Sequence, residues 1–295
     1  MKRFFTLALL LQMSISAIYA QPTKIIYAEP DQYWTNLSCM PIVKGNVDMV
    51  TVAEYELKEV YGKLTKGKQL SRNNTYTFKF NEQGIIYESV LLVSNELYHK
   101  TLYTYDTEKR LVEEIYQKGA KEEKTMYKYD ANGRRVSYSI YDKDGSLIGR
   151  GIYRYNEMGK LIEEIGKKYN SYNNSGWEDY QKLYKYDTKG NMTEYNPCKA
   201  DRKTTYDYDS NGKLVREIQY NGFSRSQGYI EYYYVYKYDA NGRFHQRIRC
   251  NYDGTIDHVY TYQYDSIGNI VAILRFDGEV MIPRSFVEYN ITYRK

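Results

Sequence analysis

Beyond residue 41 the chain holds only two of its five prolines, Pro197 and Pro283. It has three histidines, three cysteines and two tryptophans in 295 residues. Each shortage removes a class of chemistry. His99, His245 and His258 are too far apart for metal-ligand spacing, and no two of Cys39, Cys198 and Cys250 have it either, so no metal and no cofactor is expected. An odd cysteine count permits one disulfide at most. There is no Gly-x-Ser-x-Gly turn, no phosphate loop and no dinucleotide fingerprint. No catalytic residue is assigned, and the chain is not read as an enzyme. Net charge is small and basic and acidic residues are interleaved, which sets nucleic acid aside as a partner.

The start is distinctive. Met1-Lys2-Arg3 precedes an apolar run from Phe4 to Leu11, and small and polar residues follow up to Ala20, the pattern of a secretory signal peptide at 1–20. The run is shorter than the roughly 20 residues a spanning helix needs. Cleavage after Ala20 leaves no transmembrane segment and 40 basic against 37 acidic residues.

What the chain has in excess is tyrosine, 38 residues against 8 phenylalanines. A Tyr-rich, Pro-poor chain suits strands. The tyrosines recur in one motif. Tyr103-x-Tyr105-Asp106 returns as Tyr127-x-Tyr129-Asp130, Tyr153-x-Tyr155-Asn156, Tyr184-x-Tyr186-Asp187, Tyr206-x-Tyr208-Asp209, Tyr236-x-Tyr238-Asp239 and Tyr262-x-Tyr264-Asp265. Phe78-x-Phe80-Asn81 is a softened first copy and Val287-x-Tyr289-Asn290 a truncated last one. Anchor intervals run 25, 24, 26, 31, 22, 30, 26 and 25 residues.

Three residues past the anchor stands Gly84, Gly133, Gly159, Gly190, Gly212, Gly242 or Gly268, with Lys109 the one departure. Asp or Asn first and Gly fourth is the chemistry of a type I turn closing into a left-handed residue, hence of a hairpin with a bulge. An apolar residue follows two positions on: Ile86, Leu111, Leu161, Met192, Leu214, Phe244 and Ile270. Arg135 stands there in the Gly133 copy, and a shifted, irregular turn is expected at that point. In this geometry Tyr105 pairs with Leu111 and Tyr103 reaches Glu113. Glu163 and Glu194 fill the equivalent place, while Lys128, Arg154, Lys185 and Lys237 share the other face with Glu114, Glu164 and Glu217.

Segments outside the motif divide the chain. Residues 21–40 read as an N-terminal tether, 41–74 as a capping strand (46–57) and a Lys- and Gly-rich surface loop (58–74), and 75–295 as the repeat domain. A cap is expected because an open sheet edge invites aggregation. The two long intervals contain Tyr172, Asn173, Asn174 and Trp177, and Phe223 and Tyr229. Amides beside exposed aromatic rings can stack on a sugar or a peptide, so these six are the candidate binding residues.

The unit Tyr-x-Tyr-Asp-x-x-Gly-x-Leu, complete at Tyr206–Leu214, resembles the YD repeat of RHS-type bacterial proteins over about residues 76–280. The resemblance is to small exported members without a toxin domain. It implies β-sheet repeats and an exported or surface location, and assigns no activity. The expected fold is all-β: tandem hairpins in an elongated, curved, open antiparallel sheet, a superhelical meander roughly 80 Å long. The expected role is a non-catalytic binding or scaffold module for glycan or protein in the periplasm or at the surface of a diderm bacterium. An immunity-like partner of a secreted toxin and a polysaccharide-active enzyme are the alternatives.

Overall fold

The computed structural model describes residues 43–70, 74–170, 176–198, 201–222 and 228–295. After β1 (Val47–Val60) and β2 (Lys63–Gln69) come eight hairpins. These are β3 (Thr75–Phe80) with β4 (Ile86–Val93), β5 (Glu96–Tyr105) with β6 (Leu111–Lys118), and β7 (Lys121–Tyr129) with β8 (Arg135–Asp142). Then follow β9 (Leu147–Tyr155) with β10 (Leu161–Asn170), β11 (Gly176–Tyr186) with β12 (Met192–Asn196), and β13 (Arg202–Tyr208) with β14 (Leu214–Asn221). The last two are β15 (Tyr229–Tyr238) with β16 (Phe244–Asn251) and β17 (Ile256–Tyr264) with β18 (Ile270–Asp277), before β19 (Ile282–Tyr293).

Every strand pairs antiparallel with its neighbours, and β19 pairs with β1 from Val47↔Tyr293 to Glu56↔Ser285. The other edge of β1 carries β3 (Met49↔Lys79 to Ala53↔Thr75) and, end to end with it, β2 (Tyr55↔Gln69 to Val60↔Lys63). With β2 and β3 sharing one edge, the nineteen strands form a closed ring of eighteen positions. The elongated open sheet is therefore overturned: the fold is a closed antiparallel barrel. The cause lies in the ends. The truncated ninth copy in β19 lacks its second strand, and β1 supplies it, Tyr289 pairing with Val52. The segment read as a cap is one stave of the ring, which removes both free edges. The stretch read as a loop at 58–74 contains β2.

A clasp seals the seam. Lys44 N donates to Asn269 Oδ1 (2.6 Å), and Asn269 Nδ2 donates to Lys44 O (3.1 Å). Tyr293 Oη donates to Asp265 Oδ2 (2.8 Å), and Arg294 donates to Val47 O (2.6 Å), to Asp48 and to Phe80 O.

The hairpin turns follow the local chemistry of the motif. Gly133, Gly159, Gly212 and Gly268 take φ of 75°, 72°, 76° and 92°, and Lys109 adopts the same left-handed conformation at 62°. The anchor side chain caps each turn: Asp239 Oδ1 accepts the N–H of Asn241 (3.0 Å) and of Arg243 (2.8 Å), and Asp106, Asp130, Asp187 and Asp209 do likewise. The Gly133 turn is regular, contrary to expectation. Its bonds match the others, and Arg135 itself occupies the apolar place opposite Tyr129.

One register expectation fails by a residue. Tyr105 pairs with Leu111, but a bulge between Thr104 and Tyr105 puts Tyr103 opposite Glu114 and Thr104 opposite Glu113. Because side chains alternate, one extra residue exchanges the faces. Glu114, Glu164 and Glu217 join the tyrosines. Glu163 and Glu194 lie outside, where they pair with Arg154 (2.6 Å) and Lys185 (2.8 Å).

Candidate functional site

The tyrosine-bearing face is the concave one. Tyr138 of β8 and Tyr180 of β11 bring their hydroxyls together across two intervening strands, and Lys168 of β10 reaches Glu123 of β7 (3.2 Å). Such convergence needs a wall curved toward the side chains. It also needs room below. Tyr138 pairs with Gly151, Gly151 with Gly166, and Gly166 with Tyr180, so two rings lie flat over two glycines. A Cβ on Gly166 would stand 2.6 Å from the Tyr180 hydroxyl and 2.7 Å from Arg150 O.

Two ladders of tyrosines run along this wall, each with its own bonding. The second tyrosine of a unit donates to the main-chain carbonyl at the bulge of the preceding unit: Tyr129 to Leu111 O (2.7 Å), Tyr155 to Arg135 O (2.7 Å), Tyr208 to Met192 O (2.9 Å), Tyr238 to Leu214 O (2.9 Å) and Tyr264 to Phe244 O (2.6 Å). The bulge takes that carbonyl out of the strand ladder, and the phenol satisfies it. In these five units tyrosine therefore does what phenylalanine could not, whereas the first copy has Phe80 at that place. The first tyrosine turns to a side chain of the preceding strand. Tyr236 donates to Glu217 Oε2 (2.6 Å), and Tyr103 and Ser89 share a 3.0 Å bond. The expected contact of Tyr103 with Glu113 is not made, and Tyr103 bonds Ser89; the phenol–carboxylate bond that does form, Tyr236 to Glu217, uses the inward glutamate of the preceding unit.

Two buried arginines interrupt the ladders. Arg135 is 1 % exposed and lies 3.7 Å over the Tyr127 ring; Arg247 is 2 % exposed and lies 3.6 Å over Tyr234. Aromatic faces here supply much of the stabilisation a desolvated cation requires. Burial pushes the Tyr155 hydroxyl up to about 12, against the opposing pull of Arg135, and Tyr236 well above its ordinary range, against Arg247. These phenols stay protonated donors and are not poised as bases. Among the described residues no three His, Cys, Asp or Glu side chains gather as a metal site. Cys198 and Cys250 are free, and Cys39 lies outside the described residues.

The outer face is not a lipid-facing band all round. In β7, β9 and β10 a single apolar residue, Met126, Ile152 or Ile165, stands between outward charges two positions away on each side: Lys124 and Lys128, Arg150 and Arg154, Glu163 and Lys167. Four residues span roughly 14 Å, against the band of about 25 Å that a membrane barrel presents. From β15 round to β1 the outer face is more apolar, with Val259, Ala272, Leu274 and Phe276 buried beside Leu57.

The two rims differ. The turns that follow the Tyr-x-Tyr-Asp/Asn anchors all lie at one end, here the turn rim. The far rim carries fourteen of the twenty-one exposed large apolar side chains among the described residues. They are Val60, Tyr61, Leu64, Leu97, Tyr98, Leu147, Tyr169, Trp177, Tyr229, Ile230, Tyr252, Val280, Met281 and Ile282. Two of the six candidate binding residues are among them. Trp177 packs edge-on against Tyr169 (6.1 Å between ring centres) with Lys167 over its ring (5.0 Å), and Tyr229 pairs with Asn221. Trp177 and Tyr229 stand on different hairpins, β10–β11 and β14–β15. Tyr172, Asn173, Asn174 and Phe223 lie outside the described residues. Sequence reading missed the Gly151–Gly166 floor and the two buried arginines. Arg135 in an otherwise apolar place was the one visible signal.

Together these features define a closed antiparallel β-barrel whose concave wall carries a tyrosine lattice, interrupted by Arg135 and Arg247 and giving way to Val52, Phe78, Ile273 and Val287 near the seam. A family model described as an uncharacterised protein matches residues 53–182. No curated protein matches the chain. Among solved structures, the chain is similar to a porin-like protein from Bacteroides uniformis ATCC 8492 (11 % identity, 83 % of this chain and 98 % of that one, TM-score 0.41). It is similar to a porin-like protein from Bacteroides vulgatus ATCC 8482 (10 %, 85 % and 99 %, TM-score 0.38). It is also similar to part of the Photorhabdus luminescens Tc holotoxin pore (11 %, 76 % of this chain and 14 % of that one, TM-score 0.27).

Proposed function

We propose that the chain is an exported, non-catalytic envelope protein whose tyrosine-lined concave wall binds glycan. The observation that carries the reading is the lattice itself. A ring of eighteen strands about 4.8 Å apart encloses, if round, a space at least about 27 Å across at the backbone, and strand tilt widens it. Half-buried phenol rings line this space, interspersed with carboxylates, amides and arginines. Rings that stack on the apolar faces of sugars, beside groups that bond to their hydroxyls, are the chemistry of carbohydrate recognition. The basic and apolar leader supports export, and the YD-like unit supports kinship with small exported repeat proteins. The charged rows on the outer wall favour a barrel working in water over one spanning a bilayer.

A glycan array probed with the chain, followed by calorimetry on the best hit, tests this. Tyr116, Tyr195 and Tyr260 lie on the concave face outside the two ladders that hold the units together, Tyr116 tilted against His99 (5.4 Å between ring centres) and Tyr195 against Tyr184 (5.4 Å). Replacing all three with alanine should weaken a glycan hit about tenfold or more while the fold persists, since stacking rings contribute of order 0.5–1.5 kcal/mol each. An empty array, or a triple variant that binds as tightly as the parent, sinks the reading.

A further inference from the structure

At the far rim two neighbouring hairpins stand out, β1–β2 and β18–β19. They adjoin because β1 and β19 pair, and the last rung of that pairing is Glu56↔Ser285. Beyond it β1 pairs only with β2, so from Leu57 onward the hairpin has no backbone pairing to β19, and the side chain of Lys66 reaches back to Glu288. Its tip exposes Val60, Tyr61 and Leu64, with Tyr61 fully in solvent. The neighbouring tip exposes Val280 (80 %), Met281 and Ile282. Tyr61 and Met281 are held in left-handed backbone (φ 52° and 56°), where glycine or asparagine would be less strained. Bulky apolar side chains thus occupy the two tips at a conformational cost, Tyr61 and Val280 largely in water and Val60, Leu64, Met281 and Ile282 partly so.

Below the β1–β2 tip lies a collar of charge. Residues 56–69 contain Lys58, Lys63, Lys66 and Lys68 against Glu56 and Glu59, and residues 277–284 contain Arg284 against Asp277 and Glu279, so the two hairpins together hold five basic and four acidic residues, a balance of +1. Lys58 and Lys68 reach Glu56 (2.9 and 3.4 Å), and Lys66 reaches Glu288 (2.9 Å). An apolar tip above a lysine collar matches the gradient of a bilayer surface, where acyl chains lie beneath anionic headgroups. Two convex tips do not make the flat patch of about 800 Å² per partner that a stable protein complex buries. The chain enters the described structure at the opposite rim, where Lys44 bonds Asn269.

We infer that the β1–β2 and β18–β19 tips are a docking foot that dips into the surface of an anionic lipid bilayer, so that the barrel stands on a membrane by its far rim. This is independent of glycan binding, which concerns the concave wall. The test is flotation of the chain from Gln21 onward, which retains every described residue and lacks the apolar leader. The vesicles are phosphatidylethanolamine containing phosphatidylglycerol, or phosphatidylcholine alone. The parent should float with the anionic vesicles and partition about fivefold less onto the neutral ones. The pair Tyr61→Asn and Leu64→Ser should cut binding to both about tenfold, while the thermal midpoint holds or rises because asparagine tolerates the left-handed turn. Lys63→Glu with Lys68→Glu should lower binding to the anionic vesicles alone. A parent that stays at the bottom of the gradient overturns the inference. So does equal partition on the two vesicle types, or a tip variant that floats like the parent.

Discussion

The two rims are built from the same strands and solve the same problem, reversing the chain, in opposite ways. At the turn rim an aspartate or asparagine caps the turn with its side chain, and a left-handed residue, usually glycine, closes it. At the far rim the Asp142 and Asn251 turns keep that backbone pattern and close on Gly145 and Gly254, while others differ: Tyr61-Gly62 and Ser94-Asn95 place non-glycine residues at φ of 52°, 53° and 65°. Four of the five left-handed non-glycine residues among the described residues are at the far rim. Chain reversal that is locally satisfied needs nothing from outside. Reversal that leaves strain and apolar surface exposed points to contact with something else. The turn rim holds the barrel together and the far rim meets its surroundings.

The largest effect expected from breaking this contrast is at Asp265, which both caps a turn and anchors the seam. It accepts from Ile267, Gly268, Asn269 and Tyr293. Asp265→Ala should cost about 2 kcal/mol in urea unfolding, and Asp253→Ala at the far rim distinctly less. Equal losses would erase the distinction between the rims. Acid gives the same test a second axis. Burial opposes ionisation of Asp265, but the Asn269 N–H, the Tyr293 hydroxyl and the Asn269 amide outweigh it and hold the carboxyl at about 2, against an ordinary 3.8. A carboxylate depressed in the fold contributes fully above the ordinary value and loses that contribution as pH falls toward about 2. The unfolding midpoint of Asp265→Asn should therefore fall less steeply than the parent's across that window.

Next in size is the bond that joins one unit to the next. Tyr238→Phe leaves the Leu214 carbonyl without its phenol and should cost about 1 kcal/mol. A loss no larger than that of Tyr252→Phe, at an exposed far-rim tip, would show that the lattice is held by ring packing alone. The smallest effect has the opposite sign. Lys109→Gly, at the one turn-rim position where a side chain occupies the left-handed place, should stabilise by about 0.5 kcal/mol. A loss there would mean that Lys109 makes a contribution beyond turn geometry.

The turns were legible in the sequence because their chemistry is contained in five residues. Asp239 caps Arg243 N wherever the chain later goes. The assignment of faces was not, since it depends on whether the bulge at the Thr104–Tyr105 step absorbs one residue, and Glu113 and Glu114 are alike in composition. The candidate site was legible only in outline. The tyrosine periodicity marked the concave lattice and the need of a phenol for an acceptor, but not which acceptor. The glycine floor under Tyr138 and Tyr180 carries no local signal, because Gly151 and Gly166 lie on separate strands and matter only once those strands pair.

Hairpins, turn positions, the tyrosine period and the unmatched last copy follow from the order of residues, because each is a short-range preference acting on neighbours. Closure does not. Whether the half-unit in β19 meets a further sheet, a cap or the first strand of its own chain depends on curvature accumulated over eighteen strands. Only the assembled wall brings Tyr289 opposite Val52, 237 positions away, and makes a barrel of what would otherwise be a ribbon.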